Sequence, residues 1–181
     1  ARVMQYLVIS SSRNPQSRSR DMARTCFAAL KAEVGDRASS FLDAGAMDLP
    51  ICDGDAAWSH PNAVAVKEAI VKADGIILSS GIYNYNASAA AKNVIELGAS
   101  AWSEKVVGLC CAAGGTASHM SPLSLIASLM LDFRCVIVPR YVYASGEHFS
   151  DDGNVDEPTA QRLSALAEDC VRMTSRLASH A

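Results

Sequence analysis

The sequence has no continuous apolar run of the roughly 18 residues that a membrane-spanning helix needs. Its N-terminus also lacks the basic region, long apolar core and cleavage site of a secretory signal. Six cysteines are present, but none has the spacing of a CxxC motif or of a zinc-binding Cys/His set, and most lie in apolar stretches. We therefore expect buried, reduced thiols and a soluble protein of the cytoplasm with no membrane partner.

An excess of positive charge is also missing, since the formal net charge is -3. This balance argues against broad binding to nucleic acid or to acidic membranes. Four arginines nevertheless cluster near the N-terminus, at Arg13, Arg18, Arg20 and Arg24, which suggests that a small anion binds there. Repeats and low-complexity segments are absent, and half of the residues are apolar, so we expect one globular domain over residues 1–181.

Apolar segments alternate with helical patterns along the chain, which is typical of an α/β protein. Strands are predicted at 6–9, 38–43, 75–80, 105–111 and 134–143. Helices are predicted around 22–30, at 122–133 and at 158–177. Another is predicted to start at Ser59 and Pro61 and to run through Val71, and another to run from Ser88 to Leu97 with Gly98 as a stop. Because the strands are apolar throughout, we expect a parallel sheet covered on both faces. The predicted fold is a flavodoxin-like three-layer sandwich with a five-stranded parallel sheet of order 2-1-3-4-5.

Ligands of such sheets bind beyond the carboxyl ends of the strands, where the loops after strands 1, 3 and 4 meet. The first of these loops is about ten residues long and is rich in hydroxyl and guanidinium groups, whereas a βα loop is normally roughly two to six residues long. It precedes a helix, whose free N–H groups attract anions, and arginine can bind phosphate in a bidentate fork. A phosphate monoester is the ligand that this loop predicts, since the GxxxxGK[ST] pattern of nucleoside triphosphate sites is absent. The alternative is a solvated loop in which Ser19 caps the helix.

The other two loops offer groups for a flat ring. The second, GIYNYNAS at 81–88, carries two tyrosines and two asparagines, and the third, AGGT at 113–116, has paired glycines that allow close backbone approach. Alternatively, Asn84 or Asn86 makes turns, the tyrosines cover core edges and the glycines serve only a turn. A phosphate site, an aromatic platform and a glycine approach at one sheet edge together predict a pocket for a mononucleotide with a large planar ring.

These residues resemble the NADPH-dependent FMN reductase family, whose three loops read approximately GSxRxxSxx(N/S), PxYNxxxxxxxKNxID and xxxGGxxG. The segment YNYNASAAAKNVIEL at 83–97 carries the most specific part of the resemblance, which spans nearly the whole chain and includes FSDDG at 149–153. Three departures stand out: Ser10 replaces the usual glycine, Gly81 replaces the usual proline, and the third loop lacks a second glycine pair.

The resemblance implies FMN as cofactor, NADPH or NADH as hydride donor and a small-molecule electron acceptor. In that family the dinucleotide stacks on the flavin, so the absence of a GxGxxG motif is no evidence against NADPH. The residues implied at the FMN phosphate are Ser11, Arg13, Ser17, Arg18 and Ser19. Those implied at the isoalloxazine are Ile82, Tyr83, Asn84, Tyr85, Ala113, Gly114, Gly115 and Thr116. No catalytic acid or base is expected, because His60, His119, His148 and His180 have no carboxylate or cysteine partner by spacing.

Three other classes of protein fit these residues less well. A flavodoxin-type electron carrier would bind FMN without its own NAD(P)H activity, but such carriers are far more acidic and lack a paired arginine in the phosphate loop. A receiver domain needs carboxylates after strands 1 and 3, where this chain has serines. A thiol enzyme would need a Cys-x5-Arg loop, which is absent, although Cys110 and Cys111 end a strand beside the predicted pocket.

The helix predicted at 122–133 is apolar nearly all round. A helix with one face in water should carry a polar stripe. We therefore expect it to lie in a subunit interface of a homodimer, or of a homotetramer as the family resemblance suggests. The alternative is burial under loops of the same chain.

Overall fold

A computed structural model describes residues 2–179 of the chain. The strands are β1 Tyr6–Ser10, β2 Ser39–Asp43, β3 Gly75–Tyr83, β4 Asn86–Ala87, β5 Val106–Ala112, β6 Val136–Ile137 and β7 Val142–Ala144. The α-helices are α1 Arg18–Val34, α2 Pro61–Lys72, α3 Ala89–Gly98, α4 Leu123–Phe133 and α5 Glu157–Ala178. None of these helices is both long enough and apolar enough to cross a membrane.

The main sheet confirms the predicted parallel order. Its strands run β2-β1-β3-β5-β6, and β7 continues beside β5 beyond β6. Strand β5 corresponds to the fourth predicted strand, and β6 and β7 are two pieces of the fifth. The observed order is therefore the predicted order 2-1-3-4-5. The prediction of one continuous strand over 134–143 is wrong, because Pro139 has no N–H for the ladder and Arg140 has a φ of 62°. A further short strand, β4, pairs antiparallel with the end of β3.

Helices cover both faces of the sheet, as predicted for three layers. Leu7 and Ile9 of β1 belong to a core cluster with α2, α3 and α4, whereas the alternate residues Tyr6 and Val8 belong to a cluster with α1 and α5. Strands with both faces buried need apolar residues at every position, which is why β1, β3 and β5 lack period-two alternation.

The ends of α1, α2 and α3 differ in detail from the predictions. Helix α1 begins at Arg18 and is capped by Ser17, not by Ser19, since the Ser17 hydroxyl accepts a hydrogen bond from the Arg20 amide at 3.1 Å. Helix α2 has the predicted proline in its first turn, but its cap is His60, and Ser59 ends a preceding 3-10 turn. Helix α3 has the predicted Ser88 cap; Gly98 lies inside its last turn instead of stopping it.

Helix α4 leaves an apolar face uncovered within the chain. Leu125 and Leu129 are buried against the sheet, whereas Leu131 is 84% exposed and Leu123 and Met130 are also exposed. The alternative of burial under the chain's own loops is therefore wrong for these three side chains. An isolated chain rarely exposes adjacent large apolar residues without a partner for them.

Candidate functional site

A cavity of about 780 Å³ opens beyond the carboxyl ends of β1, β3 and β5. This size is within the range of small-molecule and cofactor sites. Its lining residues are Ser12, Asn14, Gln16, Ser17, Arg18, Ser19, Asp21, Gly81, Ile82, Tyr83, Ala112, Ala113, Gly114, Gly146, Phe149, Ser150, Asp151, Asp152 and Gly153.

The cavity brings together about half of the residues implied by the resemblance. Those in its walls are Ser17, Arg18, Ser19, Ile82, Tyr83, Ala113 and Gly114. Those outside its walls are Ser11, Arg13, Asn84, Tyr85, Gly115 and Thr116. Contact of any of these residues with FMN stays a prediction.

The first loop uses its serines mainly to hold its own shape. The buried Ser11 hydroxyl donates to the Ser79 carbonyl at 2.7 Å, which fastens the loop to β3. The hydroxyls of Ser17 and Ser19 lie 3.0 Å apart, and the Ser79 hydroxyl donates to the Ser19 carbonyl at 2.6 Å. Arg13 is exposed and is not one of the residues that line the cavity. The serines therefore shape the loop at the start of α1, and Arg18 is the arginine that reaches the cavity.

Arg20 stabilises this loop through hydrogen bonds to its backbone. Its guanidinium donates to the carbonyl of Ser12 at 2.8 Å and to that of Asn14 at 2.9 Å, and it forms an ion pair of 2.9 Å with Asp43 at the end of β2. The predicted site did not include Arg20 or Asp43. A signal was available, since an aspartate that ends β2 lies at the same sheet edge as the first loop.

Gly45 allows the chain after β2 to approach the first loop closely. An ideal Cβ placed on Gly45 would lie 1.8 Å from the Ser12 carbonyl oxygen and 2.4 Å from its carbon. Contacts between non-bonded carbon and oxygen atoms need more than 3 Å, so only glycine fits here without a shift of backbone.

The start of α1 is electrostatically suited to an anion. The first-turn N–H groups of a helix have no partners within the helix, and the dipole of α1 places partial positive charge at this end. Asp21 also lines the cavity, and burial raises the pKa of its carboxyl, although nearby Arg24 and Arg20 act in the opposite direction. Desolvation thus disfavours the negative form of the acidic group at this wall.

The second loop is a hairpin and not an irregular connection. Strand β3 extends to Tyr83 and pairs with β4, and Asn84 and Tyr85 between them have positive φ values of 51° and 62°. Positive φ at both central residues is the requirement of a type I′ turn. Tyr83 lines the cavity, and its ring would lie 3.1 Å from an ideal Cβ on Gly81. The glycine that replaces the usual proline thus leaves room for the Tyr83 ring.

The third loop is attached to β7. The Ala113 amide donates to the Ala144 carbonyl at 2.9 Å, and the Tyr143 hydroxyl donates to the Gly115 carbonyl. Gly114 and Gly115 have open space where a Cβ would stand. Gly114 faces the cavity and presents only backbone to it, which agrees with the close approach that the sequence predicts.

A fourth wall comes from the segment after β7, residues 145–153, which the predicted site did not include. Phe149 lies under the guanidinium of Arg18, with 5.4 Å from the Arg18 Cζ atom to the ring centroid. Gly146, Ser150, Asp151, Asp152 and Gly153 also line the cavity. The sequence signal for this wall is FSDDG at 149–153, which is part of the family resemblance.

The cysteines of the described chain are free, and five of the six are buried, as predicted. Burial raises the pKa of Cys110 to about 12 and that of Cys111 still further. Burial thus disfavours the thiolate form that a thiol mechanism at the end of β5 would need.

The histidines have structural contacts in the described residues. His60 caps α2, and the His148 ring accepts a hydrogen bond from the Ser145 amide at 3.1 Å. Tyr141 donates to the backbone carbonyl of His119. His180 lies outside the described residues. Within residues 2–179 no three His, Cys, Asp or Glu side chains gather as metal ligands.

Comparison with known proteins identifies the family. The family model described as NADPH-dependent FMN reductase matches residues 4–149. The chain belongs to this family. An NAD(P)H-dependent FAD/FMN reductase of Geobacillus thermodenitrificans (strain NG80-2) is 31% identical over 73% of this chain and 73% of its own length. An NADPH:quinone oxidoreductase of Arabidopsis thaliana is 24% identical over 97% of this chain and 94% of its own length.

Solved structures confirm the flavodoxin-like fold. The flavoenzyme NAD(P)H:(acceptor) oxidoreductase FerB from Paracoccus denitrificans superposes with a TM-score of 0.76 at 20% identity, over 96% of this chain and 98% of that chain. An NADH:FMN oxidoreductase (EMOB) in its apo form gives a TM-score of 0.75 at 18% identity, over 91% and 87% of the two chains.

Membership of the NADPH-dependent FMN reductase family determines the class of activity. The chain is an NAD(P)H-dependent flavin oxidoreductase that uses FMN, and not a plain electron carrier of the flavodoxin type. The alternative of a carrier without NAD(P)H activity is therefore wrong.

Proposed function

We propose that FMN binds in the cavity beyond β1, β3 and β5 and that this enzyme reduces small organic acceptors with NADPH or NADH. The observation that carries the proposal is that one cavity is lined by the start of a helix, by the Arg18 guanidinium, by Tyr83 and by the Gly114 backbone. Bound FMN supplies the hydride chemistry, and the protein supplies binding and orientation.

At the phosphate end, Ser17, Arg18 and Ser19 would hold the monoester. The first-turn amides of α1 contribute donors there, and the Arg18 guanidinium can offer two parallel N–H groups to phosphate oxygens. Ser11 and Arg13 were also predicted to bind the phosphate. Since the Ser11 hydroxyl already donates to Ser79 and Arg13 is outside the cavity walls, their contribution would be through loop shape or long-range charge.

At the ring end, the isoalloxazine would lie against Ile82, Tyr83 and the backbone of Ala113 and Gly114. These residues provide apolar and aromatic surface together with backbone groups for the polar edge of the ring. The predicted contacts with Asn84, Tyr85, Gly115 and Thr116 would come from positions adjacent to the cavity, in the hairpin turn and the third loop.

The ionisable side chains in the described walls are few: Arg18, Asp21, Tyr83, Asp151 and Asp152. None is paired with a second group in the manner of a nucleophile and its base. This composition supports a role of the protein in positioning the cofactor and excluding water, without a catalytic acid or base.

Three relatives differ in the acceptors that their names specify. They are described as a quinone oxidoreductase, an FAD/FMN reductase and an azoreductase, the last from Bacillus sp. (strain OY1-2) with 26% identity over 82% of this chain and 80% of its own length. We infer that the acceptor here is a small planar organic molecule of the same kind, such as a quinone, an azo dye or a free flavin.

Titration of the purified protein with FMN, followed by steady-state oxidation of NADPH and of NADH, tests the function. We expect quenching of FMN fluorescence at stoichiometric ratios, and pyridine nucleotide oxidation that depends on added menadione, methyl red or riboflavin. Protein that binds no FMN, or that binds FMN and oxidises neither nucleotide with any of the three acceptors, would overturn the proposal.

We also propose that the exposed apolar face of α4 packs against a second copy of this chain, giving a homodimer or a homotetramer. Leu123, Met130 and Leu131 supply the apolar surface. Light scattering of the wild-type protein should show a mass of at least two chains, and Leu131→Glu should lower it to one. Leu177→Glu, at a less exposed apolar position of α5, is the control for the change of charge and should leave the mass unchanged. A monomeric wild-type protein would contradict this interface.

We propose further that residues 1–181 form one domain, located in the cytoplasm, with no nucleic-acid partner. Helix α5 shares a core cluster with α1 and β5, which supports a single unit. Free buried thiols suit a reducing compartment, and a net charge of -3 offers little attraction to polyanions.

A further inference from the structure

The segment 145–153 meets the first turn of α1 at two glycines. An ideal Cβ on Gly146 would lie 3.0 Å from the Nη1 atom of Arg18, and one on Gly153 would lie 3.0 Å from the Oδ2 atom of Asp21. Gly153 also has a φ of 84°, which a side chain would strain. The segment therefore packs directly on two charged side chains of the cavity wall.

Between these glycines, Phe149 supports the guanidinium of Arg18. The distance of 5.4 Å from Cζ to the ring centroid is that of a cation–π contact. Such a contact is made with the π face of the ring and uses no hydrogen-bond acceptor, so the N–H groups of the guanidinium remain available to an anion. The ring thus restricts a long flexible side chain without consuming its donors.

Arg18 has no anionic partner in residues 2–179. It forms no ion pair and donates no side-chain hydrogen bond there, although Asp21, Asp151 and Asp152 line the same cavity. The exposed guanidinium therefore keeps its N–H donors unpaired within the described residues while Phe149 holds it at the cavity wall, which is the arrangement that an incoming phosphate requires.

We propose that Phe149 is a positioning residue that holds Arg18 for the phosphate monoester of the flavin, so that this cavity selects FMN over riboflavin. This inference rests on the proposed binding of FMN in the cavity. It assigns a role to segment 145–153, of which residues 150–153 lie beyond the part of the chain that the family model matches.

Phe149 also packs against the core cluster beneath α1 and α5, so loss of the ring has a structural consequence as well. The two roles predict different results. A purely structural role affects riboflavin and FMN alike, whereas positioning of Arg18 affects only the flavin that carries a phosphate. Tyrosine at 149 keeps the ring face and should preserve the positioning role.

The test is equilibrium titration of apoprotein with FMN and, separately, with riboflavin, followed by quenching of flavin fluorescence. Phe149→Leu should raise the ratio of the Kd for FMN to the Kd for riboflavin about five-fold, the size expected of a partly exposed cation–π contact. Phe149→Tyr should match the wild type. In an Arg18→Gln background, Phe149→Leu should cause no further loss of FMN affinity.

Equal losses for FMN and riboflavin, full additivity with Arg18→Gln, or failure of Phe149→Tyr to retain FMN affinity would each overturn the inference. If Phe149→Leu does not fold by circular dichroism, Phe149→Met is the replacement, since it conserves apolar volume without a ring. Wild-type protein that binds neither flavin would overturn the proposed function itself, whereas wild-type binding of FMN that Phe149→Leu leaves intact would overturn only the role of Phe149.

Discussion

At the scale of single residues, the four N-terminal arginines have different environments. Arg18 faces the cavity, Arg20 is largely buried behind the first loop, and Arg13 and Arg24 are exposed. Arg20 turns the carbonyl groups of Ser12 and Asn14 toward itself. Because carbonyl and N–H groups of a trans peptide point in opposite directions, the Arg13 amide is turned away from Arg20. Arg20 thus fixes the peptide orientation on which an anion site depends.

Arg20→Gln should lower both the stability of the loop and the affinity for FMN. The substitution leaves Asp43 and two carbonyls without their cationic donor, and we expect a loss of about 2 kcal/mol in the free energy of unfolding. Urea unfolding and FMN titration measure the two effects. Arg24→Gln, an exposed position one turn later in α1 with the same change of charge, is the control. Equal behaviour of the two variants would show that Arg20 acts only through net charge.

At the scale of elements, the geometry of the first loop depends on β2 as well as on β1 and α1. Asp43 ends β2 and pairs with Arg20, and the short 3-10 turn that follows places Gly45 against the Ser12 carbonyl. The loop between β1 and α1 is therefore held from the neighbouring strand. These contacts hold the seven loop residues, 11–17, from outside the loop.

Gly45→Ala should displace the first loop, because the added methyl would overlap the Ser12 carbonyl at 1.8 Å. Backbone must move to relieve such an overlap, at a cost of about 1–3 kcal/mol for an overpacked site. We expect at least a ten-fold loss of FMN affinity, about 1.4 kcal/mol, and a lower melting temperature. Ala46→Ser, which adds one atom at the exposed next residue of the same turn, should change neither. Wild-type affinity in Gly45→Ala would mean that the loop relaxes without consequence for the site.

At the scale of the whole molecule, the two cores on opposite faces of the sheet hold four buried thiols, and a fifth, Cys111, lies in a smaller cluster at the end of β5. Burial raises the pKa of Cys110 and Cys170 to about 12 and that of Cys135 to about 11, from an ordinary value of 9.0. A thiol with a raised folded-state pKa is protonated in both states below pH 9. Above pH 9 it ionises first in the unfolded chain, so its contribution to stability is lost as the pH rises toward the folded-state pKa.

The free energy of unfolding should therefore fall between pH 9 and 12, and Cys110→Ala should make the fall less steep. One thiol contributes up to about 1.4 kcal/mol per pH unit in this window. Chemical unfolding at several alkaline pH values measures the slope, and the cost of the cavity appears equally at pH 7 and can be subtracted. Val107→Ala, a buried change on the same strand without a titratable group, should keep the wild-type slope. Identical slopes for all three proteins would refute this dependence.

Local patterns predict the elements and the family, and they are less reliable at boundaries. Continuous apolar runs mark β1, β3 and β5, and Ser88 and Pro61 mark helix starts, because these signals act within a few residues. The prediction of the fifth strand fails at Pro139. This residue has no N–H for the sheet, and the next residue, Arg140, has a left-handed backbone conformation, so the strand is interrupted within an apolar run. The residue that caps α1 also depends on side-chain geometry. Either Ser17 or Ser19 could cap the helix on sequence grounds, but only the Ser17 hydroxyl accepts a hydrogen bond from a first-turn amide.

The amino-acid sequence alone determined the sheet order, the three loops that meet at its edge and the reductase family, because each depends on periodicity or on contiguous motifs. The tertiary structure decided which arginine faces the cavity, that Arg20 and Gly45 shape the first loop, and that Phe149 supports Arg18. Those contacts join residues far apart in the chain, and their strength depends on distances that folding sets. No local pattern distinguishes an arginine held by a distant ring from one in solvent.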